Sequence, residues 1–163
     1  MDQFVDIVIE DDRWVAFGLE PLAGHVLAAA LADLGLSGVS CVLMACDDAR
    51  IAALNADFRC KPQPTNVLSW PSQQRAAAAE GAMPIVGDPE DGELGDIAIA
   101  YDTCAAEARA AGKPMADHVS HLLVHGLLHL LGYDHLRDGD AALMEAVEVR
   151  ILAQLGLDDP YSD

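Results

Sequence analysis

The feature that most constrains the fold of this chain of 163 residues is an apolar run broken only at helical spacing. Over residues 115–131, Leu and Val fill eight of the 17 positions, and histidines fall at 118, 121, 125 and 129. Steps of three and four place those imidazoles along one side of a helix. The remaining circumference is apolar nearly all round, so such a helix has to be covered by other elements and is expected at the centre of the fold. The same histidines interrupt the run before it reaches the roughly 18 unbroken apolar residues of a membrane span. A chain of this length forms one domain, here 1–163, and can bury about 70% of its unfolded surface without staples. A metal in it would therefore serve chemistry rather than folding. With 52% apolar and only 5% aromatic residues, the core is built from Ala, Leu, Val and Ile.

The elements that can cover this helix are legible in order. Residues 5–9 and 39–44 are short β-branched runs that suit strands. Residues 21–34 have helical spacing closed by Gly35. Asp47 and Asp48 are candidate caps for a helix to about residue 58, with Ile51, Leu54 and Phe58 on one face. Two prolines mark 61–66 as a loop, residues 67–70 resume as a strand closed by Pro71, and 94–100 hold a further strand core. Helices are expected over 103–111, 115–131 and 138–155. Residues 72–92 mix an Ala run with Gly, Pro and acid and read as a variable, flexible or partly helical excursion without a fold role. There is no internal repeat. The sum is an α+β (mixed α/β) domain, with a mixed sheet of about four strands packed by about five helices.

Charge and cysteines narrow the function. Nine basic residues against 27 acidic ones give a formal net charge of -18, which excludes a broad nucleic-acid-coating surface. The first ten residues are acidic where an export signal would be basic, which predicts a cytoplasmic protein with no membrane partner. Cys41, Cys46, Cys60 and Cys104 form no CxxC pair and read as small buried apolar residues in a reducing compartment.

The chemistry lies at the end of the central helix. His125 and His129 are one turn apart and can face a single ion. Gly132 can stop the helix through a left-handed residue and turn His135 back toward that pair. Three neutral nitrogens with an open fourth position are the pattern of catalytic zinc, one ion per chain, although other divalent ions also suit imidazole. The spacing matches the H-E-x-x-H-x-x-G-x-x-H zinc signature except that Gly126 stands where the general base should be, which argues against a metallopeptidase. His121 reads as a group behind the ligands or a core histidine. His118 reads as a hydrogen-bonded or solvated residue at the helix start, and His25 as structural.

The segment His121-Leu-Leu-Val-His125-Gly-Leu-Leu-His129-Leu-Leu-Gly-Tyr-Asp134-His135 resembles the signature of the YbeY family of bacterial endoribonucleases and rRNA maturation factors. Other blocks fall in family order: Leu54-Asn55 to Arg59, Pro64 to Pro71, Leu94-Gly95-Asp96-Ile97, and Met144-Glu145 with Glu148 through Ile151-Leu152. Asn66 stands where many members have Asp, and Trp70 where many have Phe. The resemblance implies a metal-dependent endoribonuclease specific for single-stranded RNA. It would act in rRNA processing, at the 3' end of 16S rRNA on the small ribosomal subunit, and in ribosome quality control, with no DNA substrate. It further implies zinc at His125, His129 and His135 and a functional role for Arg59.

Phosphodiester cleavage needs a nucleophile, a charge stabiliser and a proton carrier. Arg59, a planar fork of donors, suits the phosphate. Asp134 can orient a ligand histidine, accept a proton, or cap its turn. Ser69 and Thr65 can touch substrate or backbone, and Trp70 can stack on a base or fill the core. With no base visible, a non-catalytic ribosome-assembly factor holding structural zinc is the alternative reading. Arg50, Arg59, Lys61 and Arg75 face the single acid Asp57 between residues 50 and 75, which predicts a narrow positive groove in an otherwise acidic molecule.

Overall fold

The computed structural model describes residues 4–59, 63–84 and 92–161, apart from the side chains of Phe58 and Arg59. Cys60, Lys61 and the 85–91 part of the excursion thus lie outside the described residues.

Strand β1 (Val5–Ile9) alternates, with Val5, Ile7 and Ile9 packed on the core and Val8 exposed. Helices α1 (Arg13–Phe17) and α2 (Leu19–Asp33) lead to β2 (Ser40–Cys46), which pairs parallel to β1 with Val5 opposite Cys41. Helix α3 (Asp48–Arg59) precedes β3 (Val67–Pro71), and β4 (Glu93–Ala100) then inserts between β2 and β3. The sheet order is β1-β2-β4-β3, with β4 parallel to β2 and antiparallel to β3. Helices α4 (Tyr101–Ala111), α5 (Met115–Leu130) and α6 (Asp138–Gln154) complete the layers.

Helix α5 is the central helix that its sequence demanded. Val119, Leu123, Val124 and Leu128 are fully buried, and the helix packs on β3 and β4 as well as on α2, α4 and α6. One core joins α2, α5 and α6 to Cys41, Leu43, Ile97 and Ile99 of the sheet. On the other face, Ile51 of α3 meets Leu68, Ala98 and Ala100, with Leu54 and Trp70 alongside. Trp70 is thus partly buried against this second cluster. Cys41, Cys46 and Cys104 are buried free thiols, and burial raises each to about 12, which keeps them unreactive.

Among the described residues there are six helices, one more than the five expected. The extra one, α1, seats Trp14 in the core, where its indole Nε1–H donates to the Cys46 carbonyl at 3.0 Å. Helix α2 starts two residues before Pro21, because a first-turn proline gives up an N–H that has no partner there anyway.

The excursion is also corrected. Its described part, residues 72–84, holds no helix and has a clear fold role. Arg75 is buried and donates through Nη1 to the carbonyls of Leu130 (2.8 Å) and Leu94 (3.1 Å) and through Nη2 to Ser72 Oγ (2.8 Å). It therefore satisfies the C-terminal end of α5 and cannot line a positive groove. Farther along, Arg137 donates to the carbonyls of Ala77 and Ala78, and the carboxylates of Glu80 and Asp140 accept from the backbone N–H groups of Gly139 and Gly81. The strap is tied to the start of α6. Arg50, a second member of the basic island, pairs with Glu10 at 3.2 Å.

Candidate metal centre

Helix α5 ends in a Schellman turn: the Tyr133 N–H donates to the Leu128 carbonyl and the Gly132 N–H to the His129 carbonyl. Gly132 has φ +105°, and a Cβ there would sit 2.5 Å from the Arg75 carbonyl oxygen, so no other residue fits. This turn carries His135 back over the last turn of the helix.

The result is a convergent trio. Nε2 of His125 and Nε2 of His129 are 3.0 Å apart. The His135 ring lies 5.7 Å from His125 and 5.1 Å from His129, centroid to centroid. One nitrogen from each of the three can be chosen with all separations within 4.8 Å, a geometry able to hold a metal ion. Burial, then the neighbouring His125 and His135, pushes His129 down to about 4, so it stays neutral and its lone pair is available at neutral pH.

Behind the trio stands a residue that sequence reasoning did not single out for this role. Glu148 of α6 is fully buried. Its Oε1 accepts from His125 Nδ1 at 2.7 Å, and its Oε2 accepts from His121 Nε2 at 2.8 Å and from the Tyr161 hydroxyl at 2.5 Å. Burial alone would raise its carboxyl, but the three donors outweigh that and bring it down to about 2. With Nδ1 committed to Glu148, His125 has only Nε2 to offer, and Nε2 faces His129. The sequence did contain a signal for Glu148: an acid between Val147 and Ile151 on the buried stripe of α6 must find a partner.

The other predicted residues separate clearly. His121 touches Glu148 and lies outside the trio, although His121, His125 and Glu148 also form a close group. His118 pairs with Glu107 at 2.9 Å, and His25 is exposed on α2. Asp134 Oδ1 accepts from the Leu136 N–H at 2.7 Å, closing its own turn, and reaches His129 only as a nearby negative charge. Ser69, opposite Ile97, shares the β3 face of Val67, the face that meets α5. Gly126 faces the same way: a Cβ there would meet Ile97 at 3.2 Å and Val67 at 3.5 Å. A side chain at this position would run into the sheet. The side chain of Arg59 lies outside the described residues.

Comparison with known proteins defines the class: a family model described as Endoribonuclease YbeY matches residues 7–156. Relatives named Endoribonuclease YbeY include one from Ruegeria pomeroyi, 58% identical over 97% of this chain and 98% of its own length. Another, from Paracoccus denitrificans, is 57% identical over 98% of this chain and 90% of its own. The chain belongs to the YbeY endoribonuclease family. A solution structure from Thermotoga maritima superposes with a TM-score of 0.57 at 18% identity, covering 98% of this chain and 100% of its own, and so shares the fold.

Proposed function

We propose that this protein is a metal-dependent endoribonuclease that hydrolyses single-stranded RNA. Its substrate is rRNA on the small ribosomal subunit, at the 3' end of 16S rRNA, with a part in ribosome quality control. The observation that supports this reading is the convergence of His125, His129 and His135 in front of a buried carboxylate, in a chain of this family. The donor set fits zinc: three imidazoles, one of them oriented by a buried carboxylate. Other divalent ions suit the same nitrogens.

When bound, such an ion would supply positive charge to a phosphate oxygen and acidify water. The chain's own residues do the rest. His125 and His129 hold the position through their outward Nε2 atoms, and Glu148 keeps His125 in one tautomer. Arg59 is the proposed phosphate clamp on the sequence reading. Ser69 lies on the α5-facing side of β3 and is a candidate substrate donor. The test is cleavage of single-stranded RNA by purified protein with and without chelator, beside His125→Ala and Arg59→Ala. All three changes should abolish or strongly reduce cleavage; undiminished cleavage in all three would overturn the mechanism.

Gly126 favours a second reading, a ribosome-assembly factor with structural zinc, because the usual base position is occupied by the sheet contact. Rescue of rRNA maturation in cells by a His125→Ala chain that still binds pre-ribosomes would favour it.

A further inference from the structure

Seven residues beyond α6, the chain returns to the seam between α5 and α6 at Tyr161. The backbone N–H of Tyr161 donates to Asp159 Oδ1 at 2.7 Å, which fixes the turn of this tail. The ring stands edge-on to His121 with centroids 5.6 Å apart, and its hydroxyl is 3.3 Å from His121 Nε2. The same hydroxyl donates to Glu148 Oε2 at 2.5 Å, shorter than either of the two histidine bonds to that carboxylate. Tyr161 is only partly covered, so its ring is not a core plug. Phenylalanine would fill the same space equally well, and the specific thing tyrosine adds is the hydroxyl.

We infer that Tyr161 is a positioning residue for the candidate metal centre, acting through Glu148 on the orientation of His125. A buried carboxylate with two oxygens can rotate unless both are engaged. His125 occupies Oε1; Tyr161 and His121 together hold Oε2. Held at both oxygens, Glu148 presents Oε1 to Nδ1–H of His125 and leaves Nε2 as the lone-pair nitrogen. Hydrogen-bond chains of this kind polarise along their length, so the outermost donor is felt at the imidazole. The C-terminal tail is thereby part of the site, acting through Glu148. The effect of losing Glu148 should match that of other outer partners of ligand histidines, about 10- to 100-fold in metal affinity. Losing only the Tyr161 hydroxyl removes one hydrogen bond, worth roughly three- to tenfold.

This inference rests on the metal reading above, and the experiment separates the two. Zinc affinity of the full chain is measured by competition with a chromophoric chelator for wild type, Tyr161→Phe, Glu148→Gln and His125→Ala. Melting of each metal-free protein is recorded, and imidazole nitrogen shifts report the His125 tautomer without metal. The expected result is one zinc per wild-type chain and none at this site in His125→Ala. Tyr161→Phe should bind about three- to tenfold more weakly with a partly mixed His125 tautomer population, and Glu148→Gln about 10- to 100-fold more weakly with fully mixed His125 tautomers. A wild-type chain that takes up no zinc overturns the metal reading and this inference with it. A wild-type chain that binds zinc beside a Tyr161→Phe chain that binds as tightly overturns this inference alone. So does a weaker Tyr161→Phe in which His125 keeps a single tautomer without metal, since the loss then does not pass through the orientation of His125.

Discussion

His118 and His125 lie seven residues apart, two turns along the same side of α5, and their surroundings make them different groups. His118 meets Glu107, whose side chain is 42% exposed and is shared with the amide of Asn66. His125 meets Glu148, which has no exposure at all, and has two further imidazoles in front of it. An exposed carboxylate stays hydrated and holds a histidine weakly, whereas a buried one must be fully hydrogen-bonded and so fixes its donors in place. The contrast teaches that the ligand character of an imidazole is set by what stands behind it as much as by its position on the helix.

The harshest way to break this comparison is to turn the helix over. Gly126→Glu restores the signature glutamate but aims it at Ile97 and Val67. It should cost at least about 3 kcal/mol by burying an unpaired carboxylate. Denaturant unfolding measures the loss, and peptidase activity in a folded variant would refute the orientation. His125→Ala should reduce both zinc affinity and RNA cleavage by more than the ~100-fold that losing an outer partner costs; an equal loss in His118→Ala, in the same assays, would erase the distinction between the two turns.

Metal itself sharpens the contrast. Zinc at a hundredfold excess over its dissociation constant should raise the melting temperature by about 5–10 °C, followed by calorimetry. The rise should appear in wild type and His118→Ala and vanish in His125→Ala. Last and smallest, His118→Ala should change metal-free stability by less than about 1 kcal/mol, because its partner is solvated. A larger drop in an unfolding titration would show that the Glu107 and Asn66 contacts carry more than their exposure allows.

The trio was legible because each of its determinants is local. A four-residue step sets His125 against His129, and a glycine three residues on returns His135. The strands and the central helix were legible for the same reason, since periodicity and β-branching are read within a few residues. Glu148 lies 23 residues from His125, and Tyr161 lies 40 from His121; only packing of α6 and its tail on α5 brings them in. Arg75 falls within the basic island by charge count, and a charge count carries no direction. Its burial follows from the open carbonyls of α5, which the strap happens to cross. The short α1 escaped notice because its structure is held by Trp14 reaching Cys46, a tertiary contact, rather than by a capping motif.

The Schellman turn at Gly132 also decides when the entropy of assembling the trio is spent. Two of the histidines are ordered by the helix, and the third is returned by backbone hydrogen bonds and the close pass of Arg75. These contacts are made by the chain's own backbone, so the ordering they impose belongs to folding. Three imidazoles are thus brought together by a backbone turn, in the manner of a socket rather than a clasp.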